Sequence, residues 1–132
     1  MVVAVDVGTV RVGVAASDPH RVLASPVETV TAPGLARVAA LVAERDAVLV
    51  LVGLPTSLSG RAESASAEMA REYARSLAEL AAVPVQLVDE RLTTVTATAA
   101  LRASGKRGKQ ARALVDQAAA VALLQGFLDS AS

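Results

Sequence analysis

Two short, almost wholly aliphatic runs set the terms for any fold this chain can adopt: Val2 to Val7 and Ala47 to Val52. Each is too short for a helix and too continuously apolar for a strand with one wet face. Both therefore read as strands buried on two sides. A strand covered above and below needs other elements packed on each face, and helices are the usual cover.

The segments between them supply those helices. Gly8-Thr9 reads as a tight turn, and Val10 to Val14 alternates as an antiparallel partner of the first strand would. Asp18-Pro19 marks the next turn, and Val22 to Val30 predicts a third strand, with Pro26 requiring an edge position or a break. Pro33 opens a helix carrying Leu35, Val38, Leu41 and Val42 on one stripe. After a turn-rich loop from Leu54 to Gly60, the longest helix is expected over Ala62 to Ala82. Met69, Tyr73, Leu77 and Leu80 should face inward, and Arg75 and Glu79 should pair on the outer side. Pro84 to Val88 is the last strand, Thr93 to Ala103 a helix, Ser104 to Lys109 a loop, and Ala111 to Leu128 the closing helix. The order β-β-β-α-β-α-β-α-α predicts one α/β domain over residues 1–132. Its five-stranded sheet should be mixed, three antiparallel strands followed by parallel ones, with helices on both faces.

Composition removes several kinds of chemistry. The 132 residues contain no cysteine and one histidine, His20, so disulfides, thiolate catalysis and Cys/His metal sites are excluded. A bound metal would have to be a hard cation on carboxylate oxygens. The longest apolar runs fall far short of the ~20 residues of a membrane helix, and no basic leader precedes the first strand. The expectation is a soluble cytoplasmic protein without membrane partners.

Thirteen basic and thirteen acidic residues cancel overall, yet their distribution is uneven. Arg91, Arg102, Lys106, Arg107, Lys109 and Arg112 occur with no acid among them before Asp116. The remainder is left with seven basic and thirteen acidic groups. A basic strip on an acidic body is the footprint of a phosphate-backbone binder, although a solvated loop around Gly105 to Gly108 would leave the same pattern. With only Tyr73 and Phe127 as aromatics, base stacking is a poor means of recognition.

Three acids stand at the edges of apolar elements. Asp6 closes the first run and shares the strand face of Val2 and Ala4; Glu90 follows Val85 to Val88; Asp116 aligns at helical spacing with Ala120, Leu123 and Phe127. A carboxylate taken out of water costs several kcal/mol, roughly, unless a partner compensates it. Arg11 and Arg91 could serve as such partners; a divalent cation could serve all three acids at once. Strand ends of an open α/β sheet are where sites form, and two of the three acids lie there. Asp89 and Asp18 read as turn residues and His20 as a surface residue. Gly105-Lys106 lacks the flanking residues of a phosphate-binding P-loop, and Gly8 with Gly13 lacks the dinucleotide spacing.

Four segments carry a family resemblance. They are Asp6-Val7-Gly8-Thr9-Val10-Arg11-Val12-Gly13-Val14-Ala15-Ala16-Ser17-Asp18, Gly53-Leu54-Pro55 with Gly60, Asp89-Glu90-Arg91-Leu92-Thr93-Thr94, and Asp116-Gln117-Ala118-Ala119-Ala120. In this order, spanning nearly the whole chain, they resemble the YqgF family of Holliday-junction-resolvase-like nucleases of pre-16S ribosomal RNA. The resemblance implies a ribonuclease-H-like fold, with Asp6, Glu90 and Asp116 as catalytic acids binding Mg²⁺ or Mn²⁺. It also implies structured RNA or branched DNA as substrate, with a homodimer as the simplest way to resolve a junction. The family usually has a lysine where Val10 stands, which leaves Arg11 as the one basic group of that hairpin. Two other readings share parts of this pattern. Asp6-Val7-Gly8-Thr9 also resembles the phosphate loop of actin-like ATPases, which need two domains. A non-catalytic RNA-binding domain would keep the fold and the basic strip.

Overall fold

The computed structural model describes residues 1–55, 65–90 and 109–131. The strands are β1 (Val2–Val7), β2 (Arg11–Ser17), β3 (Ala24–Thr31), β4 (Leu49–Leu54) and β5 (Val85–Asp89). The helices are α1 (Leu35–Glu44), α2 (Ala65–Ala81) and α3 (Lys109–Ala131). They build one five-stranded sheet in the order β3-β2-β1-β4-β5. β1 runs antiparallel to β2, and β2 to β3. β1 and β4 are parallel, as are β4 and β5. The expected mixed sheet is present. The expected helix over Thr93 to Ala103 lies outside the described residues, as does the loop from Leu54 to Gly60 beyond Pro55.

β1 is the hub, and its burial explains its sequence. Val2, Val3, Ala4 and Val5 are all 0% exposed, because the sheet is covered on both sides. Val3 and Val5 pack with Val12, Val14, Val50 and Val52 against Val38, Leu41 and Val42 of α1 and Tyr73 and Leu77 of α2. Val2 and Ala4 face the other way, with Ala15, Leu51 and Val88, against Ala120, Leu123, Leu124 and Leu128 of α3. Small residues suit this second layer: an alanine-rich helix can lie close to a sheet surfaced with alanine and valine.

Polar contacts fix where each layer sits. Gln125 of α3 accepts from the Ala24 N–H at 2.9 Å and donates to the Val22 carbonyl at 3.0 Å, closing the amino end of β3. Two turns earlier, Gln117 Nε2 donates to Thr29 Oγ1 at 2.9 Å near the far end of the same strand. The long helix is thereby pinned to β3 at two points. On the opposite face, Tyr73 of α2 donates its hydroxyl to the Pro33 carbonyl at 2.6 Å, just ahead of α1. Pro26 lies on edge strand β3, opposite Ala15, where the register shifts. A residue with no N–H is tolerated at such an irregularity.

Two expectations for α2 fail. Leu80 is exposed, since the buried stripe runs through Ala67, Ala70, Tyr73, Ala74 and Leu77 and continues to Ala81, which turns position 80 off it. Arg75 bonds Glu72 at 3.0 Å, one turn before it, rather than Glu79. α3 also starts earlier than expected, at Lys109.

Burial holds the Tyr73 phenol neutral and pushes its pKa up to about 12. A group whose folded pKa is raised contributes its stability below its ordinary value near 10 and loses it as pH rises through 12. At pH 8, Tyr73→Phe should cost about 1 kcal/mol for the lost hydrogen bond. Between pH 10 and 12 the wild type should weaken and the gap should close. Urea midpoints of both proteins across that range measure this, and a pH-independent gap would contradict a buried hydroxyl.

Candidate active site

Strand alternation and register bring two of the three expected acids together. On β1, Val2 and Ala4 face α3, so Asp6, two residues further, is on that face too. On β4, Leu51 faces α3 and Gly53 follows it by the same step; on β5, Val88 faces α3 and Glu90 follows. β1 and β4 pair Ala4 with Leu51 and Val5 with Val52, a register that continues to Asp6 beside Gly53. β4 and β5 pair Gly53 with Val88. Neighbouring strands lie about 4.8 Å apart, so three adjacent strand ends present Asp6, a glycine and Glu90 on one surface.

The glycine is what lets the two acids share that surface. A Cβ at position 53 would lie 2.8 Å from Glu90 Oε1, 3.1 Å from its Cγ and 3.2 Å from Leu123 Cδ2. The Glu90 carboxylate therefore reaches over the β4 backbone into the row next to Asp6. Leu123 closes the space from the helix side. Both acids are half-buried. In the sequence Gly53 stands out only as part of a motif. Its steric role could have been read from a glycine that interrupts Leu49 to Leu54 beside an acid-bearing strand end.

The third acid is placed by its backbone. Asp116 lies in α3 one turn before Ala120, which is 0% exposed against the sheet. Its side chain is outside the described residues. The next residue, Gln117, bonds Thr29, and Thr29 pairs with Gly13, which pairs with Asp6. The helix is thus anchored directly above the cross-strand row that contains Asp6.

The remaining expected residues divide clearly. Arg11 begins β2 and is half-buried; its carbonyl accepts from the Gly8 N–H at 3.0 Å across the tight turn. A Cβ on Gly8 would meet that same carbonyl oxygen at 2.5 Å, so the turn admits only glycine. Val10, at the hairpin tip, is 63% exposed. Lys109 and Arg112 fall in the first turns of α3, with side chains outside the described residues; Arg91, Arg102, Lys106 and Arg107 lie outside them altogether. Asp89 closes β5 on the opposite strand face from Glu90.

Asp18 is a turn residue, as expected. It accepts from the backbone N–H groups of Val22 at 2.7 Å, Leu23 at 2.8 Å and His20 at 3.2 Å. The Leu23 bond does most to hold its carboxyl below the usual range. His20 is exposed on that same loop, at the other end of the sheet from Asp6.

The donors at the strand ends are oxygens only, in a chain without cysteine. That chemistry fits a hard divalent cation and fits no soft metal. Among the described residues no three potential ligands gather. Among the described residues, too, no helix is long and apolar enough to cross a membrane.

The chain is similar to several known proteins. A Mycolicibacterium smegmatis protein named "Putative pre-16S rRNA nuclease" is 53% identical over 135 residues, covering 96% of this chain and 79% of that protein. A Mycobacterium leprae protein of the same name is 55% identical, covering 95% of this chain and 70% of the other. A Rhodococcus erythropolis relative, again so named, is 48% identical over 98% of this chain and 78% of its own. Among solved structures, Thermus thermophilus RuvC in complex with Holliday junction substrate superposes with a TM-score of 0.58 at 21% identity, over 99% of this chain and 96% of that one. RuvC has a ribonuclease-H-like fold, and this sheet with its helices is of that class. Residues 1–130 match the sequence pattern of RuvX, described as Holliday junction resolvase, and the chain belongs to that family.

Proposed function

We propose that this chain is a metal-dependent endonuclease, acting in the cytoplasm, that hydrolyses phosphodiester bonds in structured nucleic acid. We take 5′-end processing of pre-16S ribosomal RNA as its task, with residues 1–132 acting as one nuclease domain. The observation that carries the reading is the placement of the Glu90 carboxylate over Gly53, one strand from Asp6 on the same face. The names of relatives at about half identity supply the substrate. The family's description makes branched DNA the competing substrate.

Asp6, Glu90 and Asp116 are the residues that would hold Mg²⁺ or Mn²⁺. When bound, such a cation supplies charge neutralisation at the scissile phosphate and activation of a water nucleophile. The chain's own groups do the rest. Gly53 leaves room for the Glu90 carboxylate, and Leu123 borders the same space from α3. The Gln117–Thr29 bond sets the height of the helix that bears Asp116. Arg11 with Arg91, Arg102, Lys106, Arg107, Lys109 and Arg112 would hold the backbone of the substrate, contacts that orient a strand without reading its sequence.

Asp6→Asn keeps the shape of the side chain and removes its charge. It should lower cleavage of pre-16S RNA by at least about 100-fold, a loss of roughly 2.7 kcal/mol in transition-state stabilisation. Binding of the same RNA should change little. Parallel assays on a four-way DNA junction, with Mg²⁺ and with Mn²⁺, decide between the two substrates. Normal cleavage by the variant would remove Asp6 from the reaction.

Gly53→Ala separates the site from the fold. The flexible end of Glu90 can move aside and Leu123 can yield a few tenths of an ångström, so the unfolding free energy should change by no more than about 1 kcal/mol. Cleavage should fall by about tenfold or more, because the carboxylate no longer occupies its place. Equal activity in the variant would show that Glu90 does not act from that position. A third outcome concerns the basic segment: replacing Lys106, Arg107 and Lys109 by alanine should reduce the slope of log affinity against log salt by about one per lost phosphate contact. An unchanged slope in filter-binding titrations would show that these groups do not touch the nucleic acid.

A further inference from the structure

α3 is clasped to the sheet by two glutamines, one near each end of β3. Gln125 bonds the Ala24 N–H and the Val22 carbonyl. That half of the helix is also held by apolar packing, since Ala120, Leu123, Leu124 and Leu128 are buried against the sheet. Toward the acids the support changes. Among the described side chains of α3, Ala120 is the first that is fully buried. Asp116 stands four residues before it, about 6 Å along the helix axis. Among those same side chains Gln117 is nearest to Asp116 in sequence, and it donates from Nε2 to Thr29 Oγ1 at 2.9 Å.

Thr29 belongs to the ladder that places the first acid. It pairs with Gly13, and Gly13 pairs with Asp6, so the three form one cross-strand row. Thr29 is therefore two strands, or about 10 Å, from Asp6. Gly13 carries no side chain to stand between them. The Gln117 contact thus ties the helix to the row that bears Asp6. It also fixes rotation: successive residues leave a helix about 100° apart, so turning position 117 to β3 determines where residue 116 leaves the backbone.

We propose that Thr29 is a positioning residue that sets which cation the acids accept: through Gln117 it holds the Asp116 end of α3 at the spacing from Asp6 and Glu90 that a small ion needs. The inference rests on the metal-dependent reading above and adds to it a selection by ion size. Mg²⁺ takes oxygen ligands at about 2.0–2.1 Å and demands near-ideal octahedral geometry. Ca²⁺ takes them at about 2.3–2.6 Å in flexible arrangements. A helix end released from its clasp therefore weakens the smaller ion most. Thr29 acts here through the helix, not as a ligand.

The test uses the full chain without nucleic acid. Binding of Mn²⁺ is followed by electron paramagnetic resonance, and Mg²⁺ and Ca²⁺ are each titrated in to displace it. Thr29→Val keeps a β-branched shape on the strand and removes the acceptor; Gln117→Met removes the donor and keeps a good helix former. Each should raise the half-displacing concentration of Mg²⁺ at least about fivefold and that of Ca²⁺ by less than about twofold. The double variant should be no weaker than the worse of the two singles, because both remove one contact. Thr29→Ser, which retains the hydroxyl, should restore the wild-type ratio. Equal loss of both ions, the result of a general loosening of the fold, would overturn the proposal. An unchanged ratio in either single variant, or additive losses in the double one, would do the same. A wild type that binds no Mn²⁺ removes the metal site and this inference with it. A wild type that selects Mg²⁺ through Thr29 yet cleaves neither pre-16S RNA nor a junction supports the inference and fails only the nuclease reading.

Discussion

Everything in this molecule is arranged around a strand that water does not reach from either side. Four consecutive residues of β1 are completely covered, three of them valines. That enclosure is the source of cohesion: about 25 cal/mol for each Å² of apolar surface removed from water, collected on two faces at once. It is also a prohibition. A carboxylate at residue 3, 4 or 5 would sit in hydrocarbon with no solvent and no cation within reach. At residue 6 the strand emerges past the helices that cover it, and an acid becomes tolerable there. The position of Asp6 follows from where the cover ends.

The same limit applies to the neighbouring strands, and parallel pairing brings their ends to one edge. β1, β4 and β5 run in one direction, so their carboxyl ends reach the edge together. An acid just past the end of β5 and an acid at the end of β1 then share that edge without any loop having to fold back. Antiparallel β2 points the other way and contributes its beginning, Arg11, to this edge. The edge thus combines acidic strand ends with a basic strand start, an arrangement suited to holding a phosphate against a cation. At the opposite end of the sheet the inventory differs: a loop organised by Asp18 and an arginine at the end of α1.

Much of this was legible in the sequence, for identifiable reasons. β1 and β4 announced themselves because two-sided burial leaves no polar alternation to confuse. Asp6 and Glu90 stood out because each interrupts or ends an apolar run, and the two-residue period assigned them faces. What pattern alone could not supply was register. Nothing in Leu49 to Leu54 says that Gly53 lies beside Asp6 rather than beside Ala4; that depends on how far two parallel strands slide, which the intervening helix settles. Leu80 falls off the inward stripe of α2 for a similar reason. Helical periodicity gives a direction, but whether Leu80 or Ala81 continues the stripe depends on how the helix lies on the sheet. The Gln117–Thr29 and Gln125–Ala24 contacts, 88 and 101 residues apart, have no local signal at all.

Gly53 shows how closely the core and the site adjoin. Its missing side chain borders a carboxylate on one side and a leucine methyl on the other, 2.8 and 3.2 Å from where a Cβ would stand. One residue earlier along this face, Leu51 is pure core; one strand across stands the half-buried carboxylate of Asp6. The boundary between hydrocarbon and acid therefore runs through a single row of the sheet. That row is set by β-ladder register, and register is among the stiffest features of a fold, because a slip of one residue would turn every side chain of the strand to the wrong face. The spacing of Asp6 and Glu90 is consequently insulated from changes in the connecting loops. Changes in α3 are another matter, since that helix is held over the row by side-chain bonds rather than by a ladder, and Asp116 travels with it.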